Sequence, residues 1–224
     1  SNMDWGLGGC DAPEEIAAAD FPLVRQFRVA MHFAAEPQED LRGEWLACTP
    51  AHAPGFGAVS YAFARRLHRE TGVPVGIVLS SVGGTNIECW MSQETLLGTP
   101  DLEPFAARMR ESLAAHDRDL RAALPALEDW TRRAREAEGA GRPVPLPPAV
   151  PPFPFGEQAH RPRCVTLHNG MIRPLVPLAL EGVIWYQGEN NAGGPAECEQ
   201  YIAMTRALVA DWRRFFGDPD LPFY

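Results

Sequence analysis

The stretch that most constrains this chain is residues 75–90, VGIVLSSVGGTNIECW. Its first five residues form an apolar run bounded by Pro74 and Ser80, the pattern of a short strand buried on both faces. The run breaks at Ser80-Ser81 and Gly83-Gly84, and Thr85 or Asn86 is placed to cap a helical segment reaching Leu97. Strand, glycine turn and helix start in that order describe the carboxyl end of a strand in an open α/β sheet, where such sheets bind ligands. Glycines there let backbone amides approach a substrate or face an anion. The same residues also suit an ordinary βα turn, so the case for a site rests on other strand ends converging here.

The rest of the chain supplies the partners such a strand needs. Residues 57–71 carry apolar side chains at Val59, Ala62, Phe63 and Leu67, a helical spacing that stops near Gly72. Residues 23–29 and 44–48 read as strands, and 13–19 as a short helix with proline in its first turn. Residues 101–138 are rich in Ala, Arg, Leu and Glu and should be mostly helical, broken at Pro125. Residues 139–162 are too proline-rich for regular structure and form an excursion from the domain. A short helix interrupted by Pro174 and Pro177 is expected over 169–180, a second buried strand over 182–186, and an amphipathic helix over 197–216. Residues 221–224 look like the start of a further strand. The alternation implies one α/β domain over residues 1–224, a parallel sheet flanked by helices.

Charge and cysteine usage exclude several function classes. The formal net charge is −9, a poor match for nucleic acid or an anionic membrane. No apolar run approaches the roughly 20 residues of a membrane-spanning helix. The five cysteines, Cys10, Cys48, Cys89, Cys164 and Cys198, are scattered without a CxxC pair, which argues against a zinc site or a disulfide scaffold.

A second polar cluster, Gln187-Gly188-Glu189-Asn190-Asn191, follows the apolar residues 182–186. Glycine amides together with an amide side chain are the parts of an oxyanion hole, which holds the charge formed when an ester carbonyl is attacked. Each residue also has an unremarkable alternative: Gln187 as a solvated loop residue, Glu189 as a loop or capping carboxylate.

These blocks resemble the sialate O-acetylesterases and their acetylxylan-esterase relatives, of the SGNH (GDSL-like) hydrolase superfamily. The resemblance begins at Ser1-Asn2-Met3-Asp4-Trp5 and continues through Ile16-Ala17-Ala18-Ala19, Glu36-Pro37-Gln38-Glu39-Asp40 and Phe56-Gly57-Ala58-Val59-Ser60-Tyr61. It is strongest at Ser80-Ser81-Val82-Gly83-Gly84-Thr85 and Ile87-Glu88-Cys89-Trp90, and returns at His168-Asn169-Gly170-Met171-Ile172 and Gly182-Val183-Ile184-Trp185-Tyr186-Gln187-Gly188-Glu189. Departures are small: Val82 stands where the family often has Trp, His168 where it often has Tyr, and Asn190 where it often has Ser.

The resemblance implies a three-layer, flavodoxin-like fold and removal of O-acetyl groups from a carbohydrate, sialic acid or a plant polysaccharide. It implies Ser1 as nucleophile, an oxyanion hole from the Ser1 amide, an amide of Gly83 or Gly84 and the Gln187 side chain, and Glu189 as a site-organising neighbour. No metal or organic cofactor is required. The partner is an acetylated carbohydrate, with no role for nucleic acid or membrane, and the resemblance suggests a periplasmic or secreted location. The family's Asp and His occupy a late Asp-x-x-His block, and none of the six histidines here lies in one. The domain is therefore expected to be incomplete at both ends. Ser1-Asn2-Met3 also reads as a cloning remnant, against which Trp5 and the downstream blocks keep the family's spacing. Two other readings stay open. One is a carbohydrate-binding module without a base, with Trp5, Trp90, Trp185 and Tyr186 as stacking faces. The other is an N-terminal nucleophile enzyme using the Ser1 α-amine as base.

Overall fold

The computed structural model describes residues 2–155 and 164–224. Along the chain come α1 (Pro13–Ala17), β1 (Phe21–Val29), β2 (Gly43–Cys48), α2 (Ala58–Thr71), β3 (Val75–Leu79), α3 (Gln93–Gly98), α4 (Glu103–Gly139) and α5 (Pro195–Phe216). The fold is mixed α/β: a small three-stranded sheet, ordered β2-β1-β3, flanked by helices. β1 and β3 run parallel, with Val24 opposite Val75 and Arg28 opposite Leu79. β2 is antiparallel to β1, so the sheet is not the all-parallel one expected. β2 follows β1 without an intervening α-helix and returns beside it, the connection expected of an antiparallel pair.

β3 is less enclosed than its apolar run implies. Only Leu79 is buried, Val75, Ile77 and Val78 are half-buried, and Gly76 is exposed. Among the described residues β3 pairs with β1 alone and forms one edge of the sheet. α2 packs against β3 and ends at Gly72, whose φ of 70° is the left-handed conformation that glycine adopts without a Cβ penalty. The apolar residues 182–186 and 221–224 do not join this sheet. They meet in a short parallel ladder, where Val183 N–H donates to Pro222 O (2.9 Å), Tyr224 N–H to Val183 O (2.9 Å) and Trp185 N–H to Tyr224 O (2.8 Å).

The helix cap after the glycine turn is neither Thr85 nor Asn86. A 3-10 turn at Ile87–Trp90 intervenes, and Ser92 caps α3 by accepting from Thr95 N–H at 3.1 Å. Asp211 of α5 in turn accepts from Ser92 N–H (2.8 Å) and Ser92 Oγ–H (2.9 Å).

α4 runs unbroken for 37 residues, about 55 Å at 1.5 Å per residue, with Pro125 inside it. Pro125 and Arg121, four residues before it, are both exposed, so solvent can satisfy the carbonyl that proline leaves without a donor. The proline-rich residues then return along this helix. Trp130 Nε1–H donates to Pro145 O at 2.8 Å, and nearer the start of α4 the rings of His116 and Phe153 meet at 5.8 Å. Pro145, Pro148, Pro151 and Pro154 are half-buried, whereas Leu146, Pro147, Ala149, Val150 and Pro152 are exposed. That three-residue rhythm is the period of a polyproline II helix with one ridge laid on its support. The described part of the segment reaches buried Phe155, in the main core with Met109, Leu167, Leu208 and Trp212, and residues 156–162 of the expected excursion lie outside the described residues.

Residues 169–180 differ from the expected short helix. His168–Ile172 forms a π-helical turn, followed by a 3-10 turn at Arg173–Leu175 and a cis peptide bond at Val176-Pro177. A Cβ on Gly170 would collide with the His32 carbonyl, so glycine is required for this close approach. Asn169 Nδ2 donates to Ala35 O (3.0 Å), and Ser80 Oγ–H to Met171 O (3.2 Å). This block therefore ties the loop after β1 to the carboxyl end of β3.

Candidate active site

The carboxyl ends of β1 and β3 gather the residues singled out from the sequence. Arg28, near the end of β1, donates from its guanidinium to Asp4 O and Gly55 O, both at 3.2 Å. A Cβ on Gly57 would sit 2.9 Å from Met3 O and 3.2 Å from Leu79 Cδ1. The 3-10 turn Asn2–Asp4 thus abuts the end of β3, and Ala58 N–H donates to Trp5 O at 2.8 Å as α2 begins. Ser1, the expected nucleophile, lies outside the described residues.

Gly83 and Gly84 form an exposed turn just beyond β3. Gly84 has φ of 69°, a left-handed conformation costly to residues with a Cβ. Among the described residues neither amide is engaged by a backbone carbonyl or a side chain. Thr85 fixes the turn from its carboxyl side. Its Oγ1 donates to Val82 O (2.9 Å) and accepts from Trp90 Nε1–H (3.0 Å). Thr85 and Trp90 are both buried.

The Gln187–Asn191 cluster closes on this turn from the other end of the sequence. Asn190 Nδ2 donates to Gly84 O. Gln187 Nε2 donates to Thr85 O (3.0 Å) and to Asn191 Oδ1 (2.8 Å). Tyr201 on α5 donates its hydroxyl to Gln187 O at 2.6 Å. Gly188 has φ of 154°, and a Cβ there would press on the Tyr201 hydroxyl at 3.2 Å. Gly84 and Gln187 therefore belong to one junction, in which both N–H groups of the Gln187 amide are bonded. Its Oε1 is buried without a partner among the described residues.

Glu189 is exposed, and the carboxylate at the centre of the junction is Glu88. Glu88 Oε1 accepts from Asn86 Nδ2 and Oε2 from Asn191 Nδ2, both at 3.0 Å. Sequence reasoning missed Thr85, Asn191 and Tyr201 as members of this junction and passed over Glu88 as a residue with a role. The four-residue spacing of Gln187 and Asn191 was the available signal.

Of the four candidate stacking faces, Trp90 is buried, and Trp185, for which a core role is the stronger expectation, is half-buried and packs edge-on against Trp212 with ring centres 5.7 Å apart. Trp5 (66% exposed) and Tyr186 (48% exposed) remain open. His168 is buried edge-on against Phe215, and burial pushes its pKa below the usual histidine value against the opposing pull of Asp211. Among the described residues no group of His, Cys, Asp and Glu side chains is arranged to hold a metal ion.

Comparison with known proteins bears directly on these strand ends. The family described as carbohydrate esterase, sialic acid-specific acetylesterase, matches residues 164–224, which include the Gln187–Asn191 cluster. The chain is related to the sialate O-acetylesterases. The rat sialate O-acetylesterase is 33% identical over 92% of this chain and 36% of its own length. The mouse sialate O-acetylesterase is 31% identical over 96% of this chain and 38% of its own length. The crystal structure of a carbohydrate acetylesterase from Xanthomonas citri superposes on the whole chain with a TM-score of 0.67 at 32% identity, covering 38% of that protein. The chain thus spans little more than a third of the relatives it matches. The likeness is to enzymes that hydrolyse carboxylic esters.

Proposed function

We propose that this chain carries the nucleophile and oxyanion hole of a serine esterase of the SGNH type, with a flavodoxin-like fold, that removes O-acetyl groups from a carbohydrate such as sialic acid or a plant polysaccharide. The observation that carries the reading is the exposed glycine pair Gly83–Gly84, its amides unengaged among the described residues, at the carboxyl end of β3, with the Asn2–Asp4 turn at the same end. Ser1 Oγ attacks the acetyl carbonyl, and the carbonyl oxygen becomes an oxyanion held by the Gly83 or Gly84 amide and the amide of Ser1. The ester C–O bond to the sugar breaks, and the sugar oxygen takes up the equivalent of the proton lost by Ser1 Oγ and leaves as a free hydroxyl. Water then attacks the acetyl-enzyme, and acetate departs as the Ser1 hydroxyl is restored. Each well-placed amide donor contributes about 3–4 kcal/mol to such a transition state.

Gln187 holds the turn in register through Thr85 and donates to the oxyanion only if it releases Thr85 or Asn191. Glu189 stands exposed beside it. No base is assigned among these residues. Trp5 and Tyr186, open to solvent, supply sugar-stacking faces, and alone would support a non-catalytic binding module.

The test is turnover of an acetylated chromogenic ester by the full-length protein and by its Ser1→Ala variant. Loss of about 10³-fold or more in kcat with an unchanged melting temperature is the expected result. A Ser1→Ala protein with parental kcat overturns the assignment. Binding of acetylated sugar without any turnover by the parent favours the binding module.

A further inference from the structure

The junction has a feature that the proposed chemistry does not use: the donor and acceptor role of each group in it is fixed. An ionised carboxylate can only accept. Glu88 therefore requires Asn191 to present Nδ2 to it, at 3.0 Å. Asn191 then faces the other way with Oδ1, which accepts from Ile87 N–H at 3.0 Å. A backbone N–H can only donate, so this bond independently fixes the same amide orientation. With Oδ1 committed to accepting, Gln187 must present Nε2, and its second proton reaches the Thr85 carbonyl. Gln187 thus donates in two directions, to Thr85 O and to Asn191 Oδ1, and Asn191 donates onward to Glu88. Asn86, on the far side of Glu88, donates to the remaining carboxylate oxygen.

We propose that Glu88 and Asn191 are positioning residues of the oxyanion hole: the Glu88 carboxylate, together with the Ile87 N–H, fixes the orientation of Asn191, and the network Asn191–Gln187–Thr85 holds the peptide planes of the Gly83–Gly84 turn in their donating orientation. The proposal rests on the esterase reading for its catalytic consequence, although the positioning itself is independent of it. Three constraints converge on the turn. Thr85 O is held by Gln187, Gly84 O by Asn190, and the Thr85 side chain closes back on Val82 O. Without the network, the left-handed Gly84 and its exposed neighbour Gly83 are free to swing their amides, because a glycine pair has no Cβ to restrict it. Preorganised donors contribute to catalysis because they need no reorientation as charge develops.

The arrangement allows a polarity swap. Glu88→Gln alone leaves one acceptor oxygen where two donors, Asn86 Nδ2 and Asn191 Nδ2, point, so one of the two bonds is lost. Asn191→Asp alone faces carboxylate against carboxylate. Together they restore every bond: the new amide at position 88 still accepts from Asn86 through its oxygen and donates to the new carboxylate at position 191. That carboxylate still accepts from Ile87 N–H and Gln187 Nε2.

The experiment uses the full-length protein with two readouts, kcat and KM on an acetylated chromogenic ester, and amide hydrogen exchange of peptides spanning residues 83–87. Each single variant should lower kcat by about 10-fold or more with KM nearly unchanged, since the lost interaction acts in the transition state. Exchange of the 83–87 peptides should quicken by about 10-fold at the Ile87 amide, which is bonded to Asn191, in each single variant, with β1 and β2 unaffected. The double variant should recover both to within about 3-fold of the parent, a coupling that a merely structural loss does not give. Single variants with parental kcat and exchange, or a double variant no better than the worse single, overturn the proposal. Should the parent not hydrolyse acetyl esters, the esterase reading fails, and the exchange pattern alone upholds or overturns the positioning role.

Discussion

The strand-end junction and the proline-rich return along α4 both bring chain segments together, but by opposite means. At the junction, Thr85 and Gln187 lie 102 positions apart and are joined by directional bonds between polar groups. Along α4, a neighbouring segment is held by one proline ridge, a single indole bond from Trp130 to Pro145 and ring contacts ending at Phe155. Polyproline II has no internal hydrogen bonds and leaves its backbone solvated, so it can lie on a helix without a partner for each carbonyl. The buried part of the junction around Thr85 and Trp90 cannot do so, because an unmatched polar group there costs free energy. Precision at the junction is obtained through bond direction, whereas order along α4 is obtained through stiffness and burial.

Substitutions can break or sharpen this contrast. The largest effect is expected at the root of the return segment. Phe155→Ala should cost about 3–5 kcal/mol in urea unfolding, as a large aromatic leaves a packed core, while kcat per folded molecule stays at the parental value. Faster exchange at residues 83–87 in that variant would show the two regions to be coupled and would break the contrast. The converse change is Thr85→Val. It preserves shape but leaves the buried Trp90 Nε1–H without its acceptor, at about 1–3 kcal/mol. Here both stability and kcat should fall; an unchanged kcat would separate the turn from the chemistry. The smallest effect belongs to Trp130→Phe, which deletes one partly buried bond and should cost about 0.5–1.5 kcal/mol with kcat unchanged. Proteolysis within residues 143–150 should then quicken, and a variant as resistant as the parent would mean that the proline ridge alone holds the segment.

Much of the fold was legible locally. The helical spacing of Val59, Ala62, Phe63 and Leu67 and the stop at Gly72 gave α2 to within a residue, and the apolar run of 75–79 gave β3. Those patterns record which face of an element avoids water, a property carried by the element's own side chains. Less legible were features decided by neighbours. Pro125 did not interrupt α4, because exposure lets solvent serve the freed carbonyl. β3 was less buried than its composition implied, because it forms one edge of the described sheet.

The same division runs through the candidate site. By itself the sequence determined that glycines follow β3 and that an amide-rich cluster follows residues 182–186, because backbone conformations such as the left-handed Gly84 are demanded at particular positions in the chain. Its blocks also carried the likeness to acetylesterases. Only the tertiary structure decided which polar group faces which. That Gln187 turns both N–H groups inward, that Glu88 and not Glu189 stands at the centre, and that Asn191 links them are consequences of packing α5 and the 3-10 turn at Ile87–Trp90 around one point. The physical reason is that hydrogen-bond direction depends on distances of about 3 Å between residues a hundred positions apart, and no local pattern in the chain encodes such a distance.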